Sequence, residues 1–470
     1  MTALAPHPDR LLPADPAARR IARLLYDEVA AAPILSPHGH VDAHMLLDDE
    51  RFPDPAALFI TPDHYVTRLL HAQGVPLEQL GLGRPPGAAP ADGRAIWRLL
   101  CAHWDAFLGT PVRFWFESEL AEVFGIEEQP GAASADRLYD ELEARLSEPA
   151  FRPRALFERF GIEVLATTDD PADDLAAHLA LREDPSFRGR VVPTFRADRY
   201  LTPGTSAWAP ALDALAEASG IDTGTYAGLL DALRSRRAFF KAAGTTATDT
   251  GVLTAEAAPL GDTEAERIHL AGLAGEVRDA DAAAYRANLL YRFAEMSVDD
   301  GLVMQLHAGV HRNTHRPTLE RFGPDTGHDL PAVGGYTLPL APLLRDFGTA
   351  PGFHLVLFTV DETLFSREIA PLAGFYPSVF AGAPWWFLDS PAGIARYRAA
   401  VTDSAGFAKT SGFIDDTRAF CSIPARHDMS RRADAAFLAS LVVTHQLNEE
   451  DALGVARRLV DEQPRRVFKL

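Results

Sequence analysis

Two cysteines, Cys101 and Cys421, are all that this chain of 470 residues contains. That excludes a disulfide framework and fits a reducing compartment. Also missing is any run of about 18 apolar residues, so no membrane span is expected. The first 20 residues are Pro- and Ala-rich and carry acids, without the apolar core of a signal peptide. Basic residues are in deficit. Lys and Arg total 45 against 65 Asp and Glu, for a formal net charge of −20. Such a surface repels nucleic acid and anionic membranes at long range, yet an Arg cluster in a cleft can still hold a small anion. A cytoplasmic protein with no nucleic-acid or membrane partner is expected.

Apolar residues are plentiful, at 47%, enough for a large core or more than one. Short apolar runs that end in polar or Gly-rich turns read as buried parallel strands. Eight occur, at residues 33–36, 164–168, 190–195, 244–247, 302–306, 353–359, 378–382 and 407–413. Helical patterning fills most of the gaps, for example at 173–181 and 282–296. This alternation predicts an α/β protein, and eight strands predict a closed (β/α)8 TIM-type barrel. The first gap is far too long for one crossover. The expected organisation is an N-terminal helix and first barrel strand over 1–40, a helical insertion subdomain over 41–162, and the remainder of the barrel over 163–470. A Gly/Pro-rich break at 80–90 interrupts the insertion, and a second insertion is expected at 200–241.

Barrel enzymes place their chemistry at the C-terminal ends of the strands. His38-Gly39-His40 follows strand one. Alternate residues of an extended segment point the same way, so two imidazoles can converge on one cation. Neutral imidazole suits Zn²⁺, and Mn²⁺ or Fe²⁺ less tightly. Closing the barrel brings strand eight beside strand one, so Asp415 or Asp416 offers a third ligand; either could instead cap a helix or pair with Arg418. His307, ending strand five, reads as a further ligand or a polar supporting group. Asp249 ends strand four. Arg196, Arg312 and Arg418 are costly to bury unpaired and match a substrate carboxylate bidentately, or else bridge to the rim acids. Trp385 and Trp386 read as cavity wall or as a face for a sugar.

These features resemble the uronate isomerases of the amidohydrolase superfamily, from about Leu11 to the C-terminus and in the same order. The HxH motif is joined by Asp63-His64-Tyr65 and by a TTDDP segment at Thr167 to Pro171. A PTFRxD segment spans Pro193 to Asp198, and an LQLHxG…RN segment resembles Met304 to Gly309 with Arg312-Asn313. A WWF segment begins at Trp385, and a DSRSF…RH segment resembles Asp416-Thr417-Arg418-Ala419-Phe420 with Arg426-His427, which selects Asp416 over Asp415. The chain departs from that pattern at Gly39, where the family has Cys, and at Thr250, where it has His. Residues 310–316 carry two extra histidines, His311 and His315.

The resemblance implies an aldose–ketose isomerase that converts D-glucuronate to D-fructuronate, D-galacturonate to D-tagaturonate, or both. It implies a divalent metal, Zn²⁺ first, held by His38, His40 and Asp416, and proton transfer by Tyr65 and Asp416 with His64 and Arg418 nearby. On this reading a cation such as Arg418 lowers the Tyr65 pKa. Substrate contacts would come from Arg196, His307, Arg312, Asp249, Trp385 and Trp386. The partner is a small hexuronate, and the assembly a homo-oligomer. The competing expectation is a metal-dependent hydrolase on the same barrel, disfavoured because strand four offers Asp249 and no Lys.

Overall fold

The computed structural model describes residues 3–84, 87 and 89–470. Met1, Thr2 and part of the Gly/Pro-rich break (Pro85, Pro86 and Ala88) lie outside the described residues. Among the described residues ten strands occur, in chain order: β1 Ile34–Ser36, β2 Ile162–Ala166, β3 Arg190–Val192, β4 Phe195–Arg196, β5 Ala247–Val252, β6 Val303–Ala308, β7 Val310–His311, β8 Leu330–Pro331, β9 Leu355–Phe358 and β10 Val379–Ala381. β1, β2 and β3 pair in parallel, as do β4, β5, β6, β9 and β10 in that order. β7 and β8 form a small antiparallel ribbon outside them.

The two parallel sheets are edges of one ring. A parallel bridge joins Asp169 to Phe195, and Arg196 N–H donates to Asp169 O at 2.9 Å. At the other seam Ala381 bridges Thr410, Ser411 N–H donates to Ala381 O at 2.9 Å, and His40 N–H donates to Thr417 O at 3.0 Å. The α/β class and parallel barrel order expected from the sequence are present.

Two expected strands are corrected. Residues 407–413 are not a strand: Phe407–Lys409 is a short 3₁₀ turn. The Thr410 hydroxyl turns back to Phe407 O at 2.9 Å, and Gly412 takes a left-handed φ of 81° where a Cβ would meet Pro464 at 2.9 Å. The fourth strand is Ala247–Val252 rather than 244–247. Gly244 and Thr245 instead close the preceding helix, their N–H groups donating to Lys241 O and Phe240 O at 3.1 Å.

Alternation along β6 shows how the ring is filled. Val303 belongs to the same core cluster as Ala247, Val356, Phe358 and Phe380. Met304, Leu306 and Ala308 belong with Leu355, Leu357 and the outer helices. Polar Gln305 and His307 share the phase of Val303 and are buried.

Between β1 and β2 the chain forms helices including Ala43–Asp48, Pro55–Phe59, His64–Ala72, Gly93–Ala102, Pro111–Ser118 and Ala135–Leu146. Asp42, Asp54, Asp63, Asp92 and Thr110 each accept a backbone N–H at the start of their helices, which fixes where these short helices begin. The stretch 200–241 carries helix Trp208–Ser219 and most of Tyr226–Ala242.

Candidate active site

His38 and His40 leave β1 two residues apart, with ring centroids separated by 5.2 Å. Their Nε2 atoms converge on Asp416 Oδ1, at 3.4 Å and 2.9 Å. Burial opposes the Asp416 charge, but the two imidazoles outweigh it and hold the carboxyl well below the usual carboxylate range. Asp415 goes elsewhere: its Oδ2 meets His427 Nε2 at 3.0 Å beneath the site. Asp416, not Asp415, lines the cavity of about 140 Å³ at this end of the ring.

His307 reaches the same cavity from β6. Its Nδ1 lies 2.6 Å from Asp249 Oδ1 on neighbouring β5. Asp249 is 1% exposed. Burial alone would push its pKa up, yet Arg196, His307 and His38 hold it well below the ordinary value. An ionised carboxylate only accepts, so Nδ1 carries the proton and Nε2 keeps a lone pair. That Nε2 is buried with no hydrogen-bond partner among the described residues. Ligand atoms of His38, His307 and Asp416 all lie within 4.8 Å of one another. The sequence reading puts His40 with His38 and Asp416 and leaves His307 as a further ligand, a supporting group or a substrate contact. In the structure the atoms placed to hold a metal are those of His38, His307 and Asp416, and His40 reaches them through Asp416. Three imidazoles, a carboxylate and an orphaned buried nitrogen fit a divalent cation.

The Asp63-His64-Tyr65 motif opens helix His64–Ala72. Asp63 caps it by accepting the Tyr65 N–H at 2.8 Å, which sets both rings on the first turn. His64 stacks on Tyr65 at 4.8 Å and meets Trp386 edge-on at 5.3 Å. Burial, aided by Arg418, pushes the His64 pKa down to about 3, so the ring is neutral at ordinary pH. Burial raises the Tyr65 phenol well above its ordinary value, despite Arg426 with its guanidinium carbon 4.9 Å from the ring centroid. The expected lowering by Arg418 is therefore corrected: Tyr65 holds its proton, and the cation over it is Arg426.

All three candidate arginines line the cavity, and all already hold acids. Arg196 contacts Asp198 at 2.8 Å and Asp249 at 3.2 Å. Arg312 binds Asp329 at 3.0 Å and lies over Trp386 at 5.2 Å. Arg418 binds Asp325 at 2.8 Å. Trp385 packs edge-on against His307 at 4.7 Å, and both tryptophans are buried wall. In the sequence only the turn-forming Gly323-Pro324-Asp325 segment marks Asp325. Asp325, Trp386 and Asp416 line the cavity with left-handed φ values of 61°, 55° and 39°, backbone strain of the kind that gathers at working sites.

The sequence pattern of the glucuronate isomerase family matches residues 16–462. The chain belongs to that family. A uronate isomerase of Corynebacterium efficiens is 50% identical over 470 residues, covering 100% of both chains. The crystal structure of glucuronate isomerase from Caulobacter crescentus superposes with a TM-score of 0.97 at 43% identity, covering 100% of this chain and 98% of that one. A uronate isomerase from Thermotoga maritima gives a TM-score of 0.91 at 26% identity, covering 98% of this chain and 99% of the other. The likeness to glucuronate isomerases spans the whole ring and the helices before β2, so the cavity belongs to a fold shared end to end. Family membership makes the chain an isomerase and sets aside the hydrolase expectation. Among the described residues no helix is long and apolar enough to cross a membrane.

Proposed function

We propose that the cavity isomerises a hexuronate between its aldehyde and keto forms, D-glucuronate to D-fructuronate, D-galacturonate to D-tagaturonate, or both. The observation that carries this reading is the convergence of His38, His40, His307 and Asp416 on a cavity also lined by Tyr65 and three arginines. A divalent cation, Zn²⁺ first and Mn²⁺ or Fe²⁺ next, held by His38, Asp416 and His40 with His307 Nε2 beside them, supplies positive charge that orients substrate oxygens when bound.

The chemistry requires ring opening, removal of a proton from C2 and delivery of one to C1 through an enediol. Asp416 is ionised and can accept a proton. Tyr65 is protonated and can donate one, with neutral His64 against its ring to relay hydroxyl protons. Arg418 and Arg312 hold the carboxylate end, and Arg196 offsets negative charge near Asp249. Trp385 and Trp386 close the wall and exclude water. The work is that of a homo-oligomeric cytoplasmic enzyme.

The test is incubation of purified protein with D-glucuronate and, separately, D-galacturonate, with added Zn²⁺ or with chelator. Keto-acid product is followed by a coupled NADH-consuming reductase. Turnover of either sugar that falls with chelator and returns with Zn²⁺ is expected. Absence of turnover in folded, metal-loaded protein overturns the reading.

A further inference from the structure

Arg312 and Arg418 present their guanidinium groups to the cavity, and a carboxylate of this chain is already there. Asp325 Oδ2 accepts from Arg418 Nη2 at 2.8 Å, and its Oδ1 is 3.9 Å from Arg312 Nη1. Asp325 lies on a turn between helix Arg316–Phe322 and β8, with left-handed backbone at Asp325 itself and at the glycines on either side of it, Gly323 and Gly327. That turn lies against the helix carrying His64 and Tyr65: a Cβ on Gly327 would be 2.6 Å from Arg68 Cβ. The turn thus roofs the cavity and dips one acid into it.

The two kinds of acid–arginine contact in the cavity differ. Asp249 is a fixture: its side chain is 1% exposed and held by both His307 and Arg196. The Asp325 and Arg418 side chains are 41% and 34% exposed, and Arg312 is 38% exposed. An ion pair this open to water is weakly held and exchangeable. What can exchange with it isosterically is another carboxylate.

We propose that Asp325 is a built-in competitor for the substrate carboxylate, a specificity-determining residue that occupies Arg418, beside the Arg312 that Asp329 holds, until a uronate displaces it. This rests on the isomerase reading above for the identity of the ligand. A simple monocarboxylate must displace Asp325 with nothing but its own charge, and gains little. A uronate brings hydroxyls and a carbonyl that bind elsewhere in the cavity, and so wins the exchange. Asp325 thereby filters anions by what else they carry.

The test compares the wild type with Asp325→Asn, whose amide keeps the shape, removes the charge and tolerates the left-handed backbone. Acetate and D-glucuronate are titrated separately against the metal-loaded protein, read by tryptophan fluorescence, since Trp386 lies under Arg312. Acetate should bind the variant roughly fivefold more tightly, the scale set by an exposed ion pair. KM for the uronate should fall with kcat less affected. Asp325→Gly, which also suits this backbone, should shift acetate binding in the same direction. Acetate affinity unchanged or weakened in both variants overturns the proposal, as does a raised KM, which would make Asp325 a direct substrate contact. Loss of fold does not tighten anion binding, so structural damage cannot imitate the expected result. If neither protein isomerises uronates, the functional reading fails while the acetate titration still decides the exchange.

Discussion

His307 donates its Nδ1 proton to Asp249 across 2.6 Å, and that contact fixes which nitrogen of the ring is left to face the cavity. A ligating imidazole depends on such a partner for its tautomer and orientation. Asp249→Asn should therefore lower metal affinity by about 10–100-fold, although the substituted side chain would itself occupy no ligand position. Competition against a chelating dye measures this. Wild-type affinity in the variant would show that His307 is not held for a metal.

Tyr65 is buried and protonated, and its ring is clamped between His64 and Trp115. Tyr65→Phe keeps those contacts. It should reduce kcat by roughly 10²–10⁴-fold and cut delivery of solvent deuterium to C1 of the keto product, with an unchanged melting temperature. Wild-type kcat and deuterium delivery to C1, read by mass spectrometry, would remove Tyr65 from proton transfer.

Arg196→Met should impair both turnover and fold. The sequence alone offers Arg196 either to a substrate carboxylate or to the rim acids. However, Arg196 is the guanidinium partner of Asp249, which is buried at 1% exposure. Stranding that charge should cost about 3–5 kcal/mol in denaturant unfolding, alongside the lost kcat/KM. Unaltered stability with impaired kinetics would restore the simpler substrate-binding role.

Burial raises the Asp169 carboxyl to about 7 from its ordinary 3.8, with Asp173 and Asp42 adding to it and the Thr167 hydroxyl and Thr194 N–H opposing. A raised folded-state pKa means that the folded chain holds a proton the unfolded chain releases. This contribution to stability is complete below about 3.8 and is lost as pH climbs through about 7. Asp169→Asn stays neutral throughout. Its melting temperature relative to wild type should rise between about pH 4 and 7 and level off above. A difference independent of pH would contradict the assignment.

Much of the site is legible in the sequence because its residues follow apolar strands. Buried strands have no surface of their own to explain a His or Asp at their ends, so His38, His40, Asp249 and His307 stand out against Val, Leu and Ala. The eighth segment is not legible as structure, because Thr410, Ser411 and Gly412 satisfy the backbone with local hydroxyl bonds and a left-handed turn, which composition does not announce. The sequence offers the rim acids as alternative partners of the cavity arginines, but it does not say which acids they meet. Asp249 comes from β5 and Asp198 from the 3₁₀ turn after β4, but Asp325 and Asp329 come from a turn whose place over the cavity depends on Gly327 packing against Arg68.

The seam of the ring, where His40 N–H meets Thr417 O, also orders events during synthesis. His38 and His40 emerge from the ribosome near the start of translation, whereas Asp416 and the strand-like segment that carries it emerge near the end. No chain that stops short of Asp416 can bring the acid to the histidines. A metal ion encountered early meets only two imidazoles in a chain that has not closed. For the proposed metal, the carboxylate ligand therefore comes into place only once nearly the whole polypeptide exists.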